Sequence, residues 1–511
     1  MILFSLSLYQ IAYAISVVAL LAWTYWQDRS RFAEVAKQTF ISAIIVYLIS
    51  VAAASAQWDF KMGVVFRDLL VMSALGFIFR LLMRQRAWFL LGTLLLAGVF
   101  FGFFKIKVQP TFAATNLTSP LSLDEHGELL IEIQETASLD AIQNIVQQYE
   151  LKAERAFFPA NAGITNLDNY YIVDIPKNKI NRLKKIANAL SRSNAVVWVE
   201  ENEVITVAPI ESTTPKPVKK KFGINDPGVE QLWGFDVMAI DELYNYLNFN
   251  NIKPQRKALI AILDTGVDGQ HEDLRDNFKS LNHQYDTDPV GHGTHCAGIA
   301  GAVSNNGIGV ASFSIHNNFV QITSIRVLNS MGSGTQRTII NGMIEAADKG
   351  ADVLSMSLGG FSDRFKIKAY TDAVKYVSKA GGIVVAAAGN SNRNAKDYAP
   401  VNTPGVIGVS AIDAELNRAV FSNTVHDLPM GIAAPGVNVY STIPNNKYNA
   451  FNGTSMATPY VAGLVGLLKS LQPDLTTKQV HEILHRTGKD TRNTKETGKL
   501  IQPAAAIKAL D

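Results

Sequence analysis

Several stretches in the second half of the chain are near-continuous apolar runs: ALIAILDTG at 258–266, VQITSIRVL at 320–328, ADVLSMSLGG at 351–360, GGIVVAAAGN at 381–390 and GVIGVSAI at 405–412. A strand with one solvated face alternates apolar with polar residues, whereas a strand without that alternation is covered on both faces. Segments of helical periodicity lie between the runs, among them TIINGMIEAADKG and TDAVKYVSKAG. Apolar strands alternating with helices predict an α/β domain over 222–511, built on a mainly parallel sheet with helices on both faces. In such a sheet the chemistry gathers beyond the carboxyl ends of strands and at the starts of helices.

The first hundred residues have another composition. Residues 1–27 and 38–58 carry no charge, 87–104 form a third apolar run, and 69–83 are apolar except for Arg80. Runs near twenty residues suit a bilayer crossing, so residues 1–107 are predicted to be a transmembrane region of about four helices with the lipid bilayer as partner. A signal peptide is the rival for 1–27 but lacks a basic leading region. A cluster of buried core helices is the rival for the whole region. Arg29, Arg31 and Lys37 in the first connection, with Arg84 and Arg86 in the third, exceed the basic residues of the second connection. The positive-inside rule then predicts a multi-pass membrane protein with everything after Lys107 on the extracytoplasmic side.

A polar link at 108–127 leads into a compact segment at 128–208. LLIEI at 129–133 alternates as a strand, 138–150 has helical periodicity, and strands follow near 152–157 and at 170–175. A helix from Lys179 and the strand AVVWVE at 195–200 complete a βαββαβ order. That order predicts a small α+β, ferredoxin-like unit with two helices on one face of its sheet. The stretch ESTTPKPVKKK at 211–221 lies within a second link, 209–221, and has the composition of an exposed linker.

Four residues of the α/β domain stand where chemistry is expected. Asp264 ends an apolar run, His292 sits in GHGTHCAGIAG, Asn390 follows the run at 381–389, and Ser455 in FNGTSMATPY opens an apolar helix. A hydroxyl at a helix start is either a cap or a nucleophile whose oxyanion the free N–H groups stabilise. Alone, each residue has an ordinary reading: a turn aspartate, a packing histidine, a capping serine. Together they supply an imidazole to take the hydroxyl proton, a carboxylate to orient the imidazole and an amide to complete an oxyanion hole.

The strings AILDTGVDGQHEDL, GHGTHCAGIAG, MSLGG, AAAGN and FNGTSMATPYVAG resemble those of the subtilisin-like serine proteases, the subtilases, over roughly 222–511. The resemblance implies a serine endopeptidase in which Asp264 supports His292, His292 is the general base, Ser455 is the nucleophile and Asn390 is the side-chain oxyanion donor. It implies a polypeptide substrate held along Ser355–Gly360, with Ser357, Leu358 and Gly359 pairing with its backbone and Gly360 closing the edge. Ala387, Ala388 and Gly389 would line the first specificity pocket, whose small uncharged walls suit apolar side chains or broad acceptance. No cofactor is required for the chemistry. SNNGIGVA at 304–311 is similar to the family's calcium loop, which implies Asp273 and Asn306 as ligands of a structural calcium; the following ASFSIHNN departs from the family pattern.

Under the same resemblance, residues 128–208 look like an inhibitory prodomain that leaves its C-terminal tail in the cleft, and a permanent domain of similar shape is the alternative. A self-processing precursor would then be cut between about 200 and 225, separating the protease from its anchor. Cys296 reads as a buried small hydrophobe, a redox-sensitive thiol or a metal ligand, and as the lone cysteine it forms no internal disulfide. A binding module without turnover would be marked by loss of Ser455, His292 or Asn390, and all are present. An acyl hydrolase of another fold would want Gly-x-Ser-x-Gly, where this chain has Gly453-Thr-Ser-Met-Ala457. A net charge of +3, with no basic stripe, predicts no nucleic-acid partner.

Overall fold

The computed structural model describes residues 8–26, 30–53 and 127–510, apart from 208, 213–216, 218–221 and 363–366, and isolated residues at 65, 68 and 72. Two units divide the chain, Met1–Ser122 and Leu123–Asp511.

The first unit contains helices α1 (Leu8–Tyr25) and α2 (Ser30–Ala53). Here the four-span expectation is corrected. Among the described residues a single helix, Arg31–Ser50, is long and apolar enough to cross a bilayer, and the apolar part of α1 is only Ile15–Tyr25. The charged Arg31, Glu34 and Lys37 fall inside α2, so the apolar run counted from residue 38 is the later part of a half-polar helix. The runs at 69–83, apart from Met72, and at 87–104 lie outside the described residues. One such helix does not make a multi-pass topology, and the side of the membrane inferred from four spans falls with it.

The second unit opens with strands β1 (Leu129–Ile133), β2 (Lys152–Arg155), β3 (Tyr170–Asp174) and β4 (Val196–Glu201), antiparallel in the order β2-β3-β1-β4. Helices α3 (Gln143–Tyr149) and α4 (Leu183–Ser191) contribute Tyr149, Ile186 and Leu190 to a core with Leu129 and Ile131. The intervening Leu130 points to the other face, as the period of two requires. There it joins Ile172 in a separate core with Ile340, Met343 and Ala373 of the larger domain. This small sheet is therefore covered on both sides. Short strands β5 (Val204–Thr206) and β6 (Ile210–Glu211) follow it.

The larger domain contains β7 (Ala258–Asp264), β8 (Val320–Arg326), β9 (Ser333–Thr335), β10 (Val353–Met356), β11 (Gly360–Phe361), β12 (Ile383–Ala387), β13 (Tyr398–Ala399), β14 (Val406–Ile412) and β15 (Gly431–Pro435). A hairpin of β16 (Val439–Ile443) and β17 (Lys447–Asn452) comes last. Its central sheet has six strands, all parallel, in the order β15-β14-β12-β10-β7-β8. Helices α5 (His292–Gly301) and α8 (Thr454–Leu471) pack on one face, and α6 (Gln336–Asp348) and α7 (Lys368–Lys379) on the other. Strand β7 shows why its sequence is apolar throughout. Ile260 and Ile262 meet Ala297, Val461 and Leu464, while Leu259, Ala261 and Leu263 meet Ile340, Met343 and Val374. Each fully buried aliphatic side chain contributes about 1.5–3 kcal/mol.

Candidate active site

Asp264 is the last residue of β7, where the strand leaves the sheet, and it is fully buried. Its Oδ1 accepts from the Thr265 N–H at 2.7 Å. His292 is the first residue of α5 and 2 % exposed; its Nδ1 lies 2.8 and 2.9 Å from the two Asp264 carboxylate oxygens. Burial opposes charge on this imidazole, but the charge and hydrogen bonds of Asp264 outweigh it and raise the His292 pKa above its ordinary value. The carboxylate also assigns the tautomer: Nδ1 carries the proton, leaving Nε2 free to act as base.

Asp288, which the sequence reading passed over, builds the loop that presents His292. Its buried carboxylate accepts from Val290 N, Gly291 N, Thr294 N and the Thr265 and Thr294 hydroxyls, at 2.8–3.1 Å. The only sequence signal was an acid four residues ahead of the histidine.

Ser455 stands in the first turn of α8. Its Oγ donates to the Ser357 carbonyl at 3.1 Å, and the Ser357 hydroxyl returns a bond to the Ser455 carbonyl at 2.7 Å. In this state the hydroxyl hydrogen is given to the Ser357 carbonyl. Asn390 follows β12 and Ala388–Gly389. Its Oδ1 accepts from both the N–H and the hydroxyl of Thr454, each at 2.9 Å, and the Gly389 N–H donates to the same hydroxyl at 3.1 Å. With the amide oxygen held, the amide nitrogen faces the start of α8. Gly453 has φ +153°, and a Cβ there would stand 3.4 Å from that nitrogen and 3.5 Å from the Ser455 N–H nitrogen. The two donors thus share one small space that glycine keeps open. Thr454 was missed in the sequence because nothing but adjacency to Ser455 marks it.

The expected substrate edge divides in two. Ser355 lies inside β10, paired on one side with Val385 and on the other with Ile262, and is 1 % exposed. It has no backbone edge left for a peptide, which corrects its assignment. Ser357, Leu358 and Gly359 follow the strand, and Gly360 begins β11, which pairs with β13 through Ala399. Ala387 and Ala388 are buried, and Gly389 has φ +101° with its N–H held by Thr454.

Asp273 and Asn306 are brought together, with Asn306 Nδ2 donating to Asp273 Oδ1 at 3.0 Å and Val310 N donating to Oδ2 at 2.8 Å. Burial pushes the Asp273 carboxyl up to about 8. A second acid, Asp226, accepts from Asn305 N and Asn306 N at 2.7 and 3.1 Å, and burial raises its pKa too. The sequence reading missed Asp226, which lies far from the loop along the chain.

The Cys296 thiol lies within 4.8 Å of ligand atoms of Asp264 and His292. It is fully buried and donates to the Ser455 carbonyl at 3.4 Å, and burial pushes its pKa well up. Enclosed on all sides, the thiol packs beneath the helix that carries Ser455. His295, stacked on Phe451 at 4.3 Å, is pushed down to about 3 by burial and stays neutral.

A buried aspartate–imidazole pair and a hydroxyl at a helix start are groups of the kind that a serine hydrolase uses. The profile of the Subtilase family matches residues 255–500. Subtilisin DY of Bacillus licheniformis is 41% identical over 256 residues, covering 48% of this chain and 89% of that protein. Thermitase of Thermoactinomyces vulgaris is 43% identical over 218 residues, covering 42% and 75%. The thermostable alkaline protease of Halalkalibacterium halodurans is 30% identical over 387 residues, covering 75% and 92%. The chain belongs to the subtilase family, and it is an enzyme with that family's serine-protease activity on polypeptides.

Proposed function

We propose that this protein is a serine endopeptidase in which Ser455 attacks the peptide carbonyl, His292 takes and then returns the proton, and Asp264 holds the imidazole and stabilises its charged form. The amide nitrogen of Asn390 and the Ser455 N–H receive the oxyanion. The observation that carries this reading is the pair of short bonds from His292 Nδ1 to Asp264, at a strand end facing the helix that bears Ser455. The first specificity pocket, walled by Ala387, Ala388 and Gly389, takes apolar side chains, with Leu358 and Gly359 along its rim.

Residues 128–208 act as an inhibitory prodomain, and a cut between about 200 and 225 is needed to free the cleft. The match to the alkaline protease supports this reading, because it is longer than the stretch from 222 to the C-terminus and so runs into the N-terminal segment. Asp273, Asp226 and Asn306 fit a structural calcium: two buried carboxylates share one loop, and a cation there would supply the opposing charge that burial demands.

The test uses the chain after limited trypsin digestion at the lysine-rich linker, with casein hydrolysis and fluorophosphonate labelling as readouts. Labelling should fall on Ser455, and Ser455→Ala should leave only about 10³–10⁴-fold catalysis over water. A digested enzyme that neither labels nor cuts casein would refute the assignment.

A further inference from the structure

Asn390 stands in a segment that has already left β12, and Asn392 and Arg393 just beyond it are exposed. Thr454 ties the Asn390 side-chain oxygen, but the backbone on either side of that residue is held from another quarter. Asn423 lies between β14 and β15 and is fully buried. Its Oδ1 accepts from Ser391 N at 3.1 Å and from Arg393 N at 2.9 Å, and its Nδ2 donates to the Ala388 carbonyl at 2.8 Å. Its own N–H donates to the Gly389 carbonyl at 2.8 Å. The bonds of this one residue therefore reach the chain before Asn390 and the chain after it.

The approach is close. Gly389 has φ +101°, and a Cβ there would stand 2.5 Å from Asn423 Nδ2. The contact continues on both sides of Asn423: Asn392 N donates to the Phe421 carbonyl at 2.7 Å, and Thr424 N donates to the Arg393 carbonyl at 2.8 Å. Residues 421–424 thus run beside the Asn390 segment as a brace.

An amide supplies what this place needs: an oxygen whose two lone pairs serve two N–H groups, and a nitrogen that serves one carbonyl. Aspartate would still accept from Ser391 and Arg393 but would turn an oxygen on the Ala388 carbonyl. Leucine would leave all three backbone groups without the side-chain partner. The partners also assign the orientation of the amide, because the flipped form would set donor against donor.

We propose that Asn423 is a positioning residue for the oxyanion donor: by bonding the backbone before and after Asn390, it fixes where the Asn390 amide nitrogen stands relative to the Ser455 N–H. The proposal rests on the catalytic reading given above and adds a residue that, being fully buried, acts only through Asn390. Thr454 sets the direction in which the Asn390 amide points, and Asn423 sets the place from which it points. Both matter, since a donor helps only when it lies roughly 2.7–3.1 Å from the position the oxyanion will occupy. A misplacement of about 1 Å can cost on the order of 10²-fold in rate.

Asn423→Ala, Asn423→Ser, Asn390→Ala and the double variant Asn423→Ala with Asn390→Ala are made in the full-length chain and measured after the linker digestion described above. End-point fluorophosphonate labelling counts active sites, and Tm records stability. In Asn423→Ala, kcat per labelled site should fall about 10–100-fold, short of the about 10²–10³-fold expected for loss of the donor itself. In the Asn390→Ala background the same replacement should lower Tm again but change kcat by no more than about twofold, because no donor remains to be positioned. Equal losses of kcat in both backgrounds would make Asn423 a general support and overturn the proposal. Unchanged kcat per site in both single Asn423 variants would overturn it too. If neither of those variants folds, Asn423 is a requirement of the fold and the proposal falls. If wild type neither labels nor hydrolyses casein, or Asn390→Ala keeps full turnover, the catalytic reading fails first and this one goes with it.

Discussion

Two buried carboxylates, Asp264 in the cleft and Glu200 at the seam with the N-terminal segment, are satisfied in opposite ways. Asp264 takes its partners, Thr265 and His292, from the domain to which it belongs. Glu200, the last residue but one of β4, has one local donor, Trp198 Nε1 at 2.8 Å, and three from across the seam: Gln336 Nε2 at 3.0 Å and the N–H groups of Lys368 and Ala369, each at 3.2 Å. The last two open α7, so the carboxylate meets the positive end of a helix. Glu132 and Asp372 share Lys368 nearby, and Tyr170 donates to Asp372 at 3.0 Å. Burial in the cleft is permanent. Burial at the seam exists only while the two parts are joined, so the same chemistry serves turnover in one place and association in the other.

The largest test of this contrast is Asp264→Asn. It should lower kcat about 10⁴-fold, as removal of the triad carboxylate does in serine proteases, while leaving the seam unchanged. With His292 as the neutral base proposed above, activity should rise with pH through its pKa. Asp264 raises that pKa, so the acidic limb of kcat/KM should move to lower pH in the variant. A limb that stays in place would detach Asp264 from the base. Asn390→Ala comes next, with about a 10²–10³-fold loss in kcat and little change in KM, the range known for one oxyanion donor in a subtilisin.

At the seam the effects are smaller and fall on binding. Glu200→Ala leaves the amides of α7 and Gln336 unpaired, and a hydrogen-bonded charge is worth about 1.5–3 kcal/mol. In a chain nicked in the linker, the N-terminal segment should dissociate about 10–100-fold more readily while turnover of the freed enzyme stays constant. Burial pushes the Glu200 carboxyl up to about 7. A raised pKa stabilises the joined form fully below the ordinary carboxylate range and loses that contribution as pH rises through about 7. Dissociation of the nicked form should therefore increase between pH 5 and 8, by at most about tenfold per unit. A flat profile in wild type would show that the four donors fully offset burial. Calcium at Asp273 should change turnover least; at a hundredfold excess over its Kd it adds about 2.7 kcal/mol of stability, read as a higher Tm that a chelator reverses.

What the sequence made legible was whatever depends on local pattern. The apolar run ALIAILD forms β7 because both faces of that strand are covered, and the same run places Asp264 at a strand end. Pairing across long separations was not legible. Nothing in SMSLGG reveals that Ser355 is enclosed by neighbours while Ser357 is beyond the strand, and nothing in VITVAPIE names β9 and β17 as partners. Apolar composition also overstated the membrane region, because a run of uncharged residues does not show where a helix starts. In α2 the helix begins eight residues before the run and takes in three charges.

The contact between α5 and α8 limits how this centre can vary. Gly463 rests on the backbone of Ala300, so that a Cβ there would stand 2.9 Å from the Ala300 carbonyl oxygen. One helix starts at His292 and the other carries Ser455 in its first turn, and the two run as a single close-packed pair. Their separation acts as a gauge between the two reacting groups. Loops at either end are free to lengthen or change character without resetting it, whereas one added methyl group midway along α8 would move His292 and Ser455 relative to each other. Diversity of substrate preference is then open to this scaffold at its rims, and closed to it along this shared axis.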